Sequence, residues 1–198
     1  SGAIATGRSR MSVSSRSSED LPEKQALAAI GQVELMHAYS NMFRRRGMTA
    51  AQVLITRDAF LDRERFTNAQ NTLERLLRMG AVPIINENDT VAVEEIRFGE
   101  NDVLAALVAL LINADALVLL TDVEGFYDAP PEKGGSLVSV VERITAEHAG
   151  AAGASRSGIG SGGMASKLLA AKIASSAGAA AVIARGKKRG VLGLSLIH

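Results

Sequence analysis

Apolar positions along this chain fall into two alternating rhythms. Between Pro22 and Gly47, Ala26, Ile30, Val33, Leu35, Met36, Tyr39 and Phe43 recur at mostly helical spacing. Pro22 suits a first helical turn and Gly47 a helix end. The short continuous run "AQVLIT" (Ala51–Thr56) predicts a buried strand. "TNAQNTLERLLRMG" predicts a helix with Thr67 as its N-cap and Gly80 as its terminator. "VPIIN" (Val82–Asn86) predicts a second strand, "NDVLAALVALLINA" a helix opening near Asn101, and "ALVLLTD" (Ala116–Asp122) a third strand. A turn-rich stretch, "VEGFYDAPPEKGG", follows, and Leu137–Val141 fits either a strand or the approach to a helix. "MASKLLAAKIASSAG" predicts a helix closed by Gly178, and "AAAVIAR" a last strand. Ser9–Ser18, rich in Ser and Arg, reads as a mobile loop.

The strands alternate with helices and are apolar throughout, without polar alternation. That pattern predicts an α/β fold with a parallel sheet covered on both faces. Ligands on such sheets sit beyond the carboxyl ends of the strands. Polar residues gather at those ends here: Asn86–Asp89 after one strand, Thr121 and Asp122 after another.

Composition narrows the classes. The 198 residues are 47% hydrophobic and 22% charged, which is ordinary for a globular protein with room for one domain and a real core. The net charge of +1 favours no partner, but its distribution does. Glu87, Asp89, Glu94, Glu95, Glu100 and Asp102 crowd one stretch, with only Arg97 against them. After Glu147 there is no acid, while Arg156, Lys167, Lys172, Arg185, Lys187, Lys188 and Arg189 follow. The first stretch suits an ammonium group or a metal, the second an anion. The absence of cysteine excludes disulfides, thiolate catalysis and sulfur-ligated metals. Aromatic residues make up only 4%, with no Trp, so no base-stacking platform for nucleic acid is visible. The longest apolar run, Val103–Ile112, is too short to span a bilayer.

One stretch carries specific chemistry: "GIGSGGMASK", from Gly158 to Lys167. Gly158, Gly160 and Gly163 formally match G-x-G-x-x-G, but no strand immediately precedes them and no acid follows for a ribose, so a dinucleotide site is disfavoured. A Walker loop needs Gly-Lys-Ser/Thr, whereas Lys167 lies four residues past Gly163 and precedes Leu168. What remains is a glycine loop at the start of a helix near Met164, where free N–H groups and the helix dipole meet a phosphate and Lys167 adds a full charge one turn in. A solvated helix lysine and a simple linker are the plainer alternatives. Asp102 could likewise be a helix-dipole acid, and Asn86 and Asp89 a polar turn.

Taken together, "SGAIATG" (Ser1–Gly7), "KQALAAIGQ" (Lys24–Gln32), "LITRDAFLDRERFTNAQNTLERLL" (Leu54–Leu77), "VPIINENDTVAVEEIRFGENDVLAALVA" (Val82–Ala109), "LLTDVEGFY" (Leu119–Tyr127) and "SGIGSGGMASKLLAAKIA" (Ser157–Ala174) resemble the amino-acid kinase family. The "TD" and "GGM..K" elements are shared across that family. "NEND" followed by "GEND", and "TRDAFLDRERF", resemble most its branch that phosphorylates L-glutamate. The resemblance implies a three-layer α-β-α sandwich with a mostly parallel sheet. It also implies phosphoryl transfer from ATP, with Mg2+ held mainly by the ATP phosphates, to the γ-carboxylate of L-glutamate, the first step towards proline. Carried over by position, Ser1 and Gly2 would belong to the glutamate site, Asp89 would hold the substrate ammonium, and Asn101 would also touch substrate. Asp102 would orient the catalytic lysines. Thr121 and Asp122 would lie beside the nucleotide. Ser161, Gly162, Gly163, Met164, Ala165, Ser166 and Lys167 would wrap the ATP phosphates, with Lys167 on the transferring group. No metal-ligating side chain is assigned.

The same resemblance implies a cytoplasmic enzyme, a homo-oligomer when complete, and proline as a feedback inhibitor. It places residues 1–193 in the kinase domain and leaves Leu194–His198 as a non-family tail of the kind adaptor read-through would give. The family's opening strand and its lysine-bearing loop are expected before Ser1. An RNA-binding-like domain is expected further on in many members. The chain by itself is therefore expected to be inactive. A sister kinase acting on acetylglutamate, aspartate or uridylate, and a non-catalytic amino-acid-sensing module, are the alternatives.

Overall fold

The computed structural model describes residues 2–12, 20–92, 101–154 and 163–195. The chain resolves into two compact units, residues 1–98 and 99–198.

In the first unit, α1 (Ala3–Met11) precedes α2 (Leu21–Arg44), β1 (Thr49–Ile55), α3 (Arg63–Arg78) and β2 (Ala81–Glu87). Helix α2 starts where the sequence provides a start: the Asp20 carboxylate accepts the Glu23 N–H at 2.9 Å, and Pro22 occupies the first turn. Its end is followed by Gly47, whose φ of 70° is the left-handed turn glycine permits. β1 and β2 run parallel, with Leu54 opposite Asn86 and Ile55 opposite Glu87. Helices α1 and α2 cross at glycines: a Cβ on Gly31 would lie 1.7 Å from the Ala3 carbonyl oxygen, and one on Gly7 2.0 Å from that of Leu27. Backbone therefore packs on backbone at this crossing.

Two expectations fail here. Ser9–Met11 is the last turn of α1 and Ser12 its left-handed C-cap, rather than loop; residues 13–18 of that stretch lie outside the described residues. Thr67 is not an N-cap. Helix α3 begins a turn earlier, because the Asp62 carboxylate accepts the Arg65 N–H at 2.8 Å, and the Thr67 hydroxyl donates back to the Arg63 carbonyl inside the helix.

The second unit holds α4 (Asn101–Leu111), β3 (Ala116–Thr121), α5 (Ala146–Ala154), α6 (Met164–Ser176), β4 (Ala180–Arg185) and α7 (Val191–Ser195). β3 and β4 are parallel, from Ala116 opposite Ala180 to Thr121 opposite Arg185. Ala106 and Ala109 of α4, Ala170 and Ala174 of α6, Leu117 and Leu119 of β3, and Ala179 form one buried cluster. Leu137–Val141 is neither strand nor helix; Leu137 makes a single bridge to Tyr127. Gly178 ends α6 with a φ of 88°, as expected. The α/β class and the parallel pairing follow the apolar strands of the sequence. Among the described residues no helix is long and apolar enough to cross a membrane.

Candidate functional site

A buried-edge polar cluster of the second unit grows out of its alanine packing. Asp102, Ala106 and Ala109 follow one another at helical spacing on α4, as do Lys167, Ala170 and Ala174 on α6. The alanines share the buried cluster between the helices. Side chains this small let the two helices approach, so the first turns of α4 and α6 come side by side.

There Lys167 Nζ donates to Asp102 Oδ2 at 3.0 Å. The Ser166 hydroxyl lies 2.7 Å from the same oxygen and 2.9 Å from the Gly163 carbonyl. Lys167 is only 7% exposed, so it is not the solvated helix lysine that its exposed-face alternative requires. A buried ammonium needs a compensating anion, and Asp102 supplies one. Gly163 is the extended N-cap of α6, and among the described residues no side chain caps that end. The first-turn N–H groups of Met164, Ala165 and Ser166 are therefore of the kind that α-helices offer to anions. Asn101 opens α4 next to Asp102. Together these residues can meet a multiply charged anion with one cation and a helix N-terminus while keeping that cation fixed.

Thr121 and Asp122 stand at the carboxyl end of β3, and the Thr121 hydroxyl donates to Asp122 Oδ1 at 3.1 Å. Next to them in register, Arg185 at the end of β4 pairs with Glu124 at 2.8 Å, and that contact, chiefly its hydrogen bond, pushes the guanidinium pKa up. The Gly186 N–H donates to the Thr121 carbonyl, tying the two strand ends together. A cavity of about 490 Å³ in this unit, walled by Phe126, Val138, Leu168 and Ile183 among others, contains none of the candidate residues.

In the first unit, Asp89 follows β2 at the carboxyl end of the sheet and is half-buried. It lines a cavity of about 230 Å³ with Gln32, Gln52, Glu87, Asn88 and Thr90. The Asn88 N–H donates to the Ile55 carbonyl, which anchors the turn to the neighbouring strand. Gly2 precedes α1 with a φ of 120°. Asn86 is no surface turn residue: it is 4% exposed inside β2, and its Nδ2 donates to Gln32 Oε1 at 3.0 Å. Gln32 carries no role in the sequence reading. Its signal was an amide at helical spacing among the small residues Ala28 and Gly31 on the buried side of α2.

The structure thus joins Asp102, Ser166 and Lys167 in one cluster and Thr121 with Asp122 in another. Asp89 and Gly2 belong to the other unit. Ser1, Ser161, Gly162 and the glycine stretch from Gly158 lie outside the described residues.

Comparison with known proteins supplies the setting. The model of the amino acid kinase family matches residues 1–185. A protein of Pelobacter propionicus named glutamate 5-kinase is 49% identical over 194 residues, covering 97% of this chain and 52% of the relative. Proteins of the same name from Nocardia farcinica and Burkholderia thailandensis are each 50% identical, over 95% and 97% of this chain and 51% and 52% of theirs. The chain spans about half the length of these relatives.

Proposed function

The chain belongs to the amino acid kinase family, and on that premise we propose that it forms part of an ATP-dependent glutamate 5-kinase. The reaction would move the γ-phosphoryl group of ATP to a γ-carboxylate oxygen of L-glutamate. The bond from that phosphorus to the ADP oxygen breaks, a bond to the carboxylate oxygen forms, and ADP and the acyl phosphate leave.

The observation that carries this reading is the cluster of buried Lys167 with the half-buried Asp102 and Ser166, where the first turns of α4 and α6 meet. A carboxylate is already a nucleophile at neutral pH, so the reaction needs no strong base. It needs alignment of the two substrates and cancellation of the charge that shifts across the transferring group. Lys167 would supply the cancellation. Asp102 would hold its ammonium in one position, so no reorganisation is needed during the reaction. The N–H groups at the start of α6 would bind phosphate oxygens, together with Ser161 and Gly162. Thr121 and Asp122 would flank the nucleotide at the end of β3, Asp89 would receive the substrate ammonium, and Asn101, Ser1 and Gly2 would complete the glutamate site. Mg2+ would enter on the ATP phosphates and share in neutralising them. Proline inhibition, homo-oligomerisation and a cytoplasmic location belong to the same proposal.

The test is to incubate a polypeptide containing this chain with ATP, Mg2+ and hydroxylamine, which traps acyl phosphates as hydroxamates. Hydroxamate formed from L-glutamate is the expected result. Formation only from aspartate or N-acetylglutamate would overturn the substrate assignment.

A further inference from the structure

The wall of the cavity beside Asp89 includes a glutamine with one polar atom that finds no partner among the described residues. Gln32 is 8% exposed and forms part of the cavity wall with Glu87, Asn88, Asp89 and Thr90. Its Oε1 accepts from Asn86 Nδ2. Its Nε2 is closed off from water and has no acceptor among the described residues. Buried donors are nearly always matched, because stranding one forfeits its hydration with nothing in return. The Asn86 contact also pins the amide, so it cannot simply turn away to find another partner. A wall residue with an unmatched, pinned donor, beside a carboxylate in the same wall, points to an acceptor from outside the chain once the site is filled.

We infer that Gln32 is a specificity residue of the amino-acid site: its Nε2 donates to the α-carboxylate of the substrate whose ammonium Asp89 receives. This rests on the reading of Asp89 given above. The geometry of an α-amino acid decides which carboxylate is meant. The ammonium and the α-carboxylate share one carbon, so a donor in the same small cavity as Asp89 meets the α-carboxylate. The γ-carboxylate must extend out of that cavity to reach phosphate. Gln32 and Asp89 together would read a zwitterion and would discriminate against an ω-amino acid that has the amine and the far carboxylate but no α-carboxylate.

The experiment is isothermal titration of an active polypeptide containing this chain with L-glutamate, glutarate and 4-aminobutyrate, for the parent and for Gln32→Met and Gln32→Glu. Gln32→Met removes the donor at similar volume. Gln32→Glu keeps the acceptor for Asn86 but sets a negative charge against the carboxylate, and it decides the matter if the first variant fails to fold. The parent is expected to bind L-glutamate better than either analogue. Each variant should lose at least about tenfold in L-glutamate affinity while binding 4-aminobutyrate as the parent does. A merely structural role would weaken both ligands equally, and that result, or unchanged L-glutamate affinity, overturns the inference. If the parent prefers L-glutamate to glutarate and the variants are unaffected, the reading of Asp89 stands and only the role of Gln32 falls. If the parent binds no amino acid, both fall.

Discussion

Replacing Gly31 by alanine tests whether the α1–α2 crossing holds the front of the first unit together. Alanine is the better helix former, by about 1 kcal/mol in a helix interior, so propensity alone predicts a more stable protein. The structure predicts the opposite. The new Cβ would sit 1.7 Å from the Ala3 carbonyl oxygen and 2.5 Å from the Gly7 nitrogen, whereas ordinary contact begins near 3.4 Å. Both neighbours are backbone, so no rotamer change relieves them and the helices must part. Overpacking of a filled site costs about 1–3 kcal/mol, and a backbone clash belongs at the upper end. Set against the propensity gain, the net loss is about 2 kcal/mol. Gly150, inside α5, has nothing within 4 Å of its would-be Cβ, so Gly150→Ala is the matched control and should gain stability. Urea denaturation of the parent and the two variants gives the energies, and hydrogen exchange of the α1 amides locates the damage. In Gly31→Ala those amides should lose protection before the rest of the chain, and L-glutamate binding should weaken because Gly2 opens α1. Stabilisation of both variants alike, with α1 protection unchanged, would refute the reasoning.

In an active polypeptide containing this chain, Lys167→Met should lower kcat about a hundredfold to a thousandfold with a far smaller change in the KM for glutamate, since its charge acts most in the transition state; steady-state assay decides, and a loss confined to KM would remove the role. Asp89→Asn should weaken glutamate binding and leave nucleotide binding nearly intact, because an amide cannot match a carboxylate opposite an ammonium group; calorimetry showing equal loss of both ligands would make Asp89 structural. The hydrogen bond with Thr56 above all holds the Asp58 carboxyl below its ordinary value; burial opposes it, and the Arg65 guanidinium adds a smaller lowering. A depressed carboxyl stabilises the fold above its unfolded pKa and ceases to as pH falls through the folded one. Melting curves from neutral pH to below pH 3.8 should therefore show a shallower acid decline in Asp58→Asn than in the parent.

What the sequence made legible was whatever local chemistry alone decides. The strands at Thr49–Ile55, Ala81–Glu87, Ala116–Thr121 and Ala180–Arg185 announce themselves as apolar runs bounded by polar residues. Gly47 and Gly178 mark helix ends because the left-handed turn there suits no other residue as well. Where two local signals compete, the sequence is ambiguous. Asp62 and Thr67 are both good caps in one polar stretch, and only the chain's path settles that Asp62 is used. Helix α1 is hidden for a different reason. Its buried residues are Ala3 and Gly7, too small to write an apolar stripe, and its stability comes from backbone contact with α2 across a gap in sequence.

The candidate site divides along the same line. Lys167 stood out because glycine precedes it and a helix follows, and Asp102 because an acid opened the next apolar helix. Their contact was not legible, since residues 65 positions apart meet only if the helices that carry them pack closely. The alanines at 106, 109, 170 and 174 look like filler in a composition table. In the fold they set the distance between α4 and α6, and that distance makes Asp102 and Lys167 an ion pair rather than two separate helix-end charges. Gln32 lies at the far limit of what sequence can reveal. Ala28 and Gly31 beside it mark only the buried side of α2, and its meaning comes from Asn86, which takes one end of its amide, and from the other end, which has no partner among the described residues. A buried polar atom without a partner is a property of three-dimensional arrangement alone, which is why a residue to which the sequence gives no role carries the sharpest new claim about the substrate.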